Sequence, residues 1–356
     1  MAADTTFQHR ISWLTLPMAM IACSAMASGD MEALSESEMA DVEGQGVGIV
    51  LEDFKFAHGT NESEGTLFRL SGIQTSDGED VEVTVDRFYI GGADSDYGQN
   101  LGNVNLGRLT NPYTIQLRDG DELGDNDLLP DARQGKAVFE FAAPTKDGDS
   151  SCIRGGGGGT CSSRDGERFD MGLQTTIDAG GESSNLNVHA TAAVIDGSYI
   201  RLWGDDERNQ LAGEIQMNFY TPELAINACD QSGSNCGDTI FFNDFLMELS
   251  LGNELQPLFF SVLGPNQTDL GEPGNLRLEI QDITEVLNPD LIGDDGSRGS
   301  SDGQEWDRFE AYYTNPDYRS NIEIGQLQVG DQDFGSSRME GVLFQKLEMT
   351  TRALPQ

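Results

Sequence analysis

Val81, Glu82, Val83, Thr84 and Val85 alternate apolar and polar without a break. The same alternation runs through Tyr113–Leu117, Ile215–Phe219 and Leu276–Ile280, and around Val342–Phe344. A period of two places every apolar side chain of such a run on one face of a pleated strand, whereas a helix would scatter them around its axis. Between these runs stand clusters of Gly, Asp, Asn and Ser, as at Ser76–Asp80, Asp119–Asp127 and Asn288–Gly296. Gly supplies positive φ and Asp or Asn bonds its own backbone, so each cluster reads as a turn. Many short strands separated by such turns predict an all-β fold, a β-sandwich or stacked antiparallel sheets, with a β-solenoid as the alternative.

The solenoid alternative comes from a weak internal echo. Val104–Leu109 and Ile322–Leu327 share the pattern apolar, polar, apolar, Gly, polar, Leu. Two copies do not establish a period, and convergent strand texture explains them as well. Helix signals after residue 46 are few: Asn243–Leu249 and Glu305–Tyr313 are each expected to form a turn or two of helix.

The N-terminus reads as an export signal. Arg10 precedes the apolar run Ile11–Ala22, and Ala25 and Ala27 offer small residues at a cleavage site, which predicts a mature chain from Ser28. Met20–Cys23 is a looser lipidation signal, the alternative way of processing the same segment. The apolar run is too short to remain as a membrane span, and no later segment is long and apolar enough to be an integral one. The expected organisation is a signal peptide at 1–27, a helical leader at 28–45 and a first β region at 46–143. A Gly-rich loop at 144–168 and a second β region at 169–356 follow.

A net charge of −40 over 356 residues points away from nucleic acid, whose phosphates need a basic surface. It favours cations, basic partners or a salty medium that screens self-repulsion. Beyond the signal, four cysteines form two local pairs, Cys152 with Cys161 and Cys229 with Cys236, both in loop-like sequence. In an exported chain these are expected to be loop-closing disulfides. A zinc site is the lesser reading, since His58 and His189 are near neither pair.

Chemical motifs are sparse. Gly299, Ser301 and Gly303 match the Gly-x-Ser-x-Gly elbow of hydrolases, but no histidine follows residue 189 to serve as base. Asp119, Asp121, Asp125 and Asp127 surround Gly124 and form a candidate calcium loop. Leu123 and Pro130 occupy the positions where an EF-hand needs ligands, so only an irregular site is compatible. Asp94–Asn100, after Gly91 and Gly92, is a second such turn. A solvated acidic turn is the plain reading of both. Acidic residues are too abundant for any one pair to announce glycoside chemistry. Trp203, Tyr220, Trp306, Tyr312 and Tyr313 are of a type that stacks on sugars, though core packing is the commoner role. No catalytic residue or firm cofactor is expected.

Met31–Gly44 holds Ser35 and Glu38 in capping-box spacing, an apolar stripe of Met31, Leu34, Met39 and Val42, and a terminating Gly44. It predicts a short amphipathic helix leading into a strand at Val47. The stretch Leu34–Ile49 resembles the start of a group of exported gammaproteobacterial proteins, some labelled FilA-like or pilus-system proteins. Their mature chains open with a Leu-Asp-Asp…Met…Val-Thr-Gly-Gln-x-Gly-Ile-like segment, followed by alternating strands. Glu43 stands where that group commonly has Thr. The segment is also similar to the leader of bacteriocin-type peptides, from whose double glycine Gln45 departs. The first resemblance implies an exported structural or adhesive surface protein, with pilus-assembly or other surface proteins as partners. It would reside in the periplasm, on the outer surface or outside a Gram-negative cell. A calcium- or glycan-binding module is the alternative, and a carboxylate-based glycan hydrolase a more distant one.

Overall fold

The alternating runs pair edge to edge in the computed structural model, and every ladder is antiparallel. The structure describes residues 46–59, 65, 67–75, 77–96, 100–123, 131–145, 168–230, 235–264, 275–286 and 310–351. The expected helix at Met31–Gly44, the Cys152–Cys161 loop, Asp125, Asp127, Ser301 and Trp306 lie outside the described residues.

The spine is β12 (Gln210–Asp230), whose 21 residues make it the longest strand described. On one flank it pairs first with β11 (Tyr199–Asp205), up to Gln216, and then with β10 (Glu182–Ala193), from Glu223. Pro222 sits where the neighbour changes, so its missing N–H breaks no ladder on that flank. On the other flank β14 (Leu258–Val262) gives way to β13 (Ile240–Leu251).

Two sheets therefore share β12. In the first, the strand order is β1 (Val47–Ile49), β7 (Tyr113–Asp119), β8 (Ala137–Ala142), β11, β12, β14, β15 (Leu276–Ile280) and β18 (Leu347–Thr350). In the second, β3 (Phe56–His58) and β4 (Phe68–Gln74) lie end to end along one edge of β5 (Asp80–Gly91). There follow β9 (Phe169–Ala179), β10, β12, β13, β16 (Ser320–Val329) and β17 (Gln332–Val342). A separate pair, β2 (Leu51–Phe54) with β6 (Val104–Leu106), puts Val104 and Leu106 against Phe169, Ala190 and Ala193. The β9–β10 hairpin turns at Gly180 and Gly181, with φ of 59° and 84°, a pair of positive values that glycine adopts freely.

The fold is thus all-β, a sandwich-like stack of open antiparallel sheets, and not the solenoid. Strands expected around residues 81, 113, 215 and 276 all form, and Leu276–Ile280 is β15 to the residue. Around Val342 the strand ends at that residue. The internal echo is not a structural repeat: Val104–Leu106 is a three-residue strand ended by Gly107, while Ile322–Leu327 lies within β16.

One expectation is corrected. Asn243–Leu249 is not helical but lies inside β13. Leu246, Met247, Glu248 and Leu249 favour helix as isolated residues. Here the segment is paired on both sides, with β12 and with β16, and that two-sided ladder overrides local preference. Residues 310–314 do form a helical turn. A further one-turn helix, Ile283–Val286, packs Ile283 with Leu255, Tyr312 and Tyr318.

Candidate functional site

A single row of polar side chains crosses four strands of the first sheet. The register sets Gln116 opposite Glu140, Glu140 opposite Arg201, and Arg201 opposite Glu214. Directly opposed residues share a face, so strand pairing alone aligns the four. Alternation would normally give such a row to solvent. Instead Glu140 and Glu214 are buried, at 4% and 2% exposure.

The row is saturated with charge-assisted contacts. Arg201 donates from Nε to Glu140 Oε2 at 2.5 Å and from Nη1 to Glu214 Oε1 at 2.8 Å. Gln116 Nε2 donates to Glu140 Oε1 at 2.6 Å, and Arg118 Nη1 lies 3.4 Å from the same oxygen. Arg133 comes in from the segment between β7 and β8. Its Nη1 donates to Glu214 Oε1 at 3.0 Å, and its Nε and Nη2 hold the two oxygens of Asp131, each at 3.0 Å. Its Nη2 also lies 3.8 Å from Glu254 Oε2. Tyr318 donates to the other Glu254 oxygen. The Arg201 guanidinium stacks 4.1 Å above the Tyr199 ring.

These contacts move the titrations apart. Burial alone would raise the Glu140 carboxyl, but hydrogen bonds from Gln116 and Arg201 and the charges of Arg201 and Arg118 outweigh it and hold Glu140 below its usual value. Burial also raises Glu254, and there it wins: the Tyr318 hydroxyl and Arg133 offset only part of it, while Glu214 adds to it. Burial opposes charge on Arg133 too, yet its bond to Asp131 and the charges of Glu214, Asp131 and Glu254 raise its pKa. Tyr199 and Tyr318 are pushed up, first by burial and then by the charge of Glu214 and Glu254 respectively.

Above the row opens a cavity of about 450 Å³ whose walls include Tyr199, Arg201, Glu214, Asn218, Glu254 and Tyr318. That volume suits a small ligand, and the lining is more polar than most small-molecule sites. Asn218 Nδ2 donates to the Asp196 carbonyl and Gln216 Nε2 to Asn218 Oδ1, so the amides on this wall are already oriented. Planar amides, a tyrosine ring and paired charges are the groups that recognise hydroxyl-rich solutes.

The candidate calcium residues sit elsewhere. The Asp119 carboxylate accepts from the Asp121 amide at 2.9 Å and caps a one-turn 3₁₀ helix, Gly120–Glu122. Asp121 accepts from the Gly135 amide at 2.8 Å. In the second acidic turn, Asp96 accepts from the Asn100 amide at 2.8 Å, and Asn100 Nδ2 donates to the Asp94 carbonyl at 2.7 Å. Among the described residues no group of three His, Cys, Asp or Glu side chains is placed to hold a metal ion. The Cys229–Cys236 disulfide is present and clasps the loop from β12 to β13. Trp203, Tyr220 and Tyr312 are buried at 1–2% exposure and serve packing.

None of Glu140, Arg201, Glu214, Arg133 or Glu254 stands out in the sequence. Each sits in an alternating run or a turn, where a charge reads as solvated. The one local signal is an arginine and a glutamate at polar positions of otherwise apolar strands, and only the register shows that they meet. No helix among the described residues is long and apolar enough to cross a membrane. No protein-family model, curated protein or solved structure matches this chain.

Proposed function

We propose that this chain is an exported structural or adhesive protein of a bacterial surface, acting through its sheet faces. One observation carries the reading: the outer face of the first sheet exposes a continuous apolar row. Glu140 and Glu214 are buried on the inner face, beside the apolar cluster of Val138, Trp203, Ala212 and Phe259, while Phe139, Phe141 and Ile200 are exposed on the outer one. A monomer working alone in water gains nothing from exposing that row, and large exposed apolar areas mark contact surfaces. The export signal and the resemblance at Leu34–Ile49 agree with a place in a surface or pilus system.

The test is surface labelling of intact cells that express the full chain. Labelled protein lacking residues 1–27 is the expected outcome. Unprocessed protein retained inside the cell overturns the reading.

A second reading, binding of a glycan fragment, is favoured by the polar cavity over Arg201 and Glu214. Isothermal titration with neutral oligosaccharides tests it. Saturable heat that disappears in Asn218→Leu supports it, and no heat with any of them removes it.

A further inference from the structure

The first sheet carries exposed apolar side chains on every one of its eight strands, and all of them lie on one face. Leu117 pairs with Phe139, and Phe141 with Ile200, which faces Ile215 in β12. Leu211 and Met217 share the parity of Ile215. Beyond them, Leu211 faces Phe260, Val262 faces Leu276, and Leu278 faces Met349. At the far edge Val47 faces Ile115. The exposed members range from Phe139 at 37% to Val262 at 61%.

Charge avoids this face. Arg118, Glu140, Arg201, Glu214, Arg277 and Glu279 all alternate to the opposite side. Asp119, at the last position of β7, has the apolar parity, and its carboxylate is spent on capping the next turn. Chance does not sort charges this way in a chain of net charge −40. The sorting keeps like charges a sheet thickness away from whatever covers the apolar face, where salt screens them.

We propose that this face is covered by the same face of a second copy of this chain, closing a two-fold symmetric sandwich. Seven inter-strand gaps give a width of about 34 Å, and the six steps from Leu211 to Met217 a height of about 20 Å. Leu258 and Ile280, at one corner of this face, are already buried at 2% and 1%. Stacking the open remainder of two such faces buries about 600 Å² per copy, or about 1,200 Å² in total, the lower end of a standard protein–protein interface. Two copies of one twisted apolar sheet face can stack about a two-fold axis, and such faces pack about 10 Å apart in a β-sandwich.

A bilayer fits less well. Lipid-facing sheets carry Trp and Tyr girdles and leave no free edges. On this sheet Trp203 and Tyr199 point to the polar side, Tyr113 alone on the apolar side forms no girdle, and β1 and β18 are edges among the described residues. Leu34, Met39 and Val42 are too few to match an apolar row on eight strands, residues 1–27 are the proposed export signal, and the long segments at 146–167 and 287–305 are rich in Gly, Ser and Asp.

The inference rests on the proposed surface role for its compartment, and fails separately from it. Sedimentation of the mature chain over a range of concentrations is the measurement. A dimer is expected for the parent chain and for Arg69→Gln, whose side chain lies on the polar parity of β4. Ile200→Glu should sediment as a monomer with an unchanged circular dichroism spectrum. Should Ile200→Glu not fold, Met217→Lys takes its place. A parent chain that stays monomeric at every concentration overturns the inference. So does a dimer that survives both substitutions, or a monomer that floats with phosphatidylethanolamine–phosphatidylglycerol vesicles. Surface display of a monomer would refute the pairing alone; a dimer retained inside the cell would refute the surface role alone.

Discussion

Arg133 Nη1 donates to Glu214 Oε1 at 3.0 Å, and each side chain is only 3% exposed. Neither reaches water, so each is the other's substitute for hydration. Removing one leaves the other as a buried, under-compensated charge. Arg133→Met is therefore expected to lower unfolding stability by about 3–5 kcal/mol. Urea unfolding monitored by fluorescence checks this. A loss below about 1 kcal/mol would mean that water enters the row.

Two carboxyls of the network give opposite responses to pH. Glu140 is held below its ordinary value of 4.5, so it binds fewer protons when folded than when unfolded near that pH. Its stabilisation is present above 4.5 and is lost as pH falls through the lower, folded value. Glu254 is raised above 4.5, so its stabilisation is complete below 4.5 and is lost as pH rises through the folded value. Urea midpoints across this range should show Glu140→Gln flattening the acid limb and Glu254→Gln flattening the limb above it. The same slope change in both variants would contradict the assignment.

The disulfide closes a loop with a sequence separation of 7 between Cys229 and Cys236. So short a loop constrains the unfolded chain by about 2–3 kcal/mol. The Cys229→Ser/Cys236→Ser double variant is expected to stay folded, with its unfolding free energy from urea titration lowered by that amount. Hydrogen exchange should quicken first at the end of the β12–β13 ladder, near Ile226 and Ile240. Uniform quickening through the protein would give the disulfide a global role instead.

Gly172 in β9 lies against Tyr89, which is 1% exposed and donates its hydroxyl to the Ser95 carbonyl at 3.1 Å. A Cβ at residue 172 would meet Tyr89 Cε1 at 2.2 Å. Gly172→Ala should destabilise by about 1–3 kcal/mol, because the ring has no free space to move into. Adding Tyr89→Leu should reduce that penalty. A thermal melt of Gly172→Ala equal to the parent would show that the strand shifts to make room.

With a net charge of −40, the folded chain repels itself more than the expanded one. Raising salt from low to marine strength should raise Tm by screening that repulsion. An unchanged Tm would mean that bound cations already neutralise the surface.

The amino-acid order by itself determined the class of the fold. Period-two runs such as Val81–Val85 and Leu276–Ile280 admit only strands, and the Gly- and Asp-rich clusters between them admit only turns. The local pair Cys229 and Cys236 was legible for the same reason, since a short loop brings its own ends together. Asn243–Leu249 departs from its helix-favouring composition because its conformation is decided by pairing with β12 and β16, partners that lie elsewhere in the chain. The tertiary structure alone decided which face of each strand is inside. Alternation separates polar from apolar but carries no label for water, so the polar face reads as solvated by default. Here the segment carrying Arg133 and the turn carrying Tyr318 close over that face, and Glu140, Arg201 and Glu214 replace hydration with one another. Phe139, Phe141, Ile200 and Met217 remain outside, and long-range closure rather than local pattern put them there.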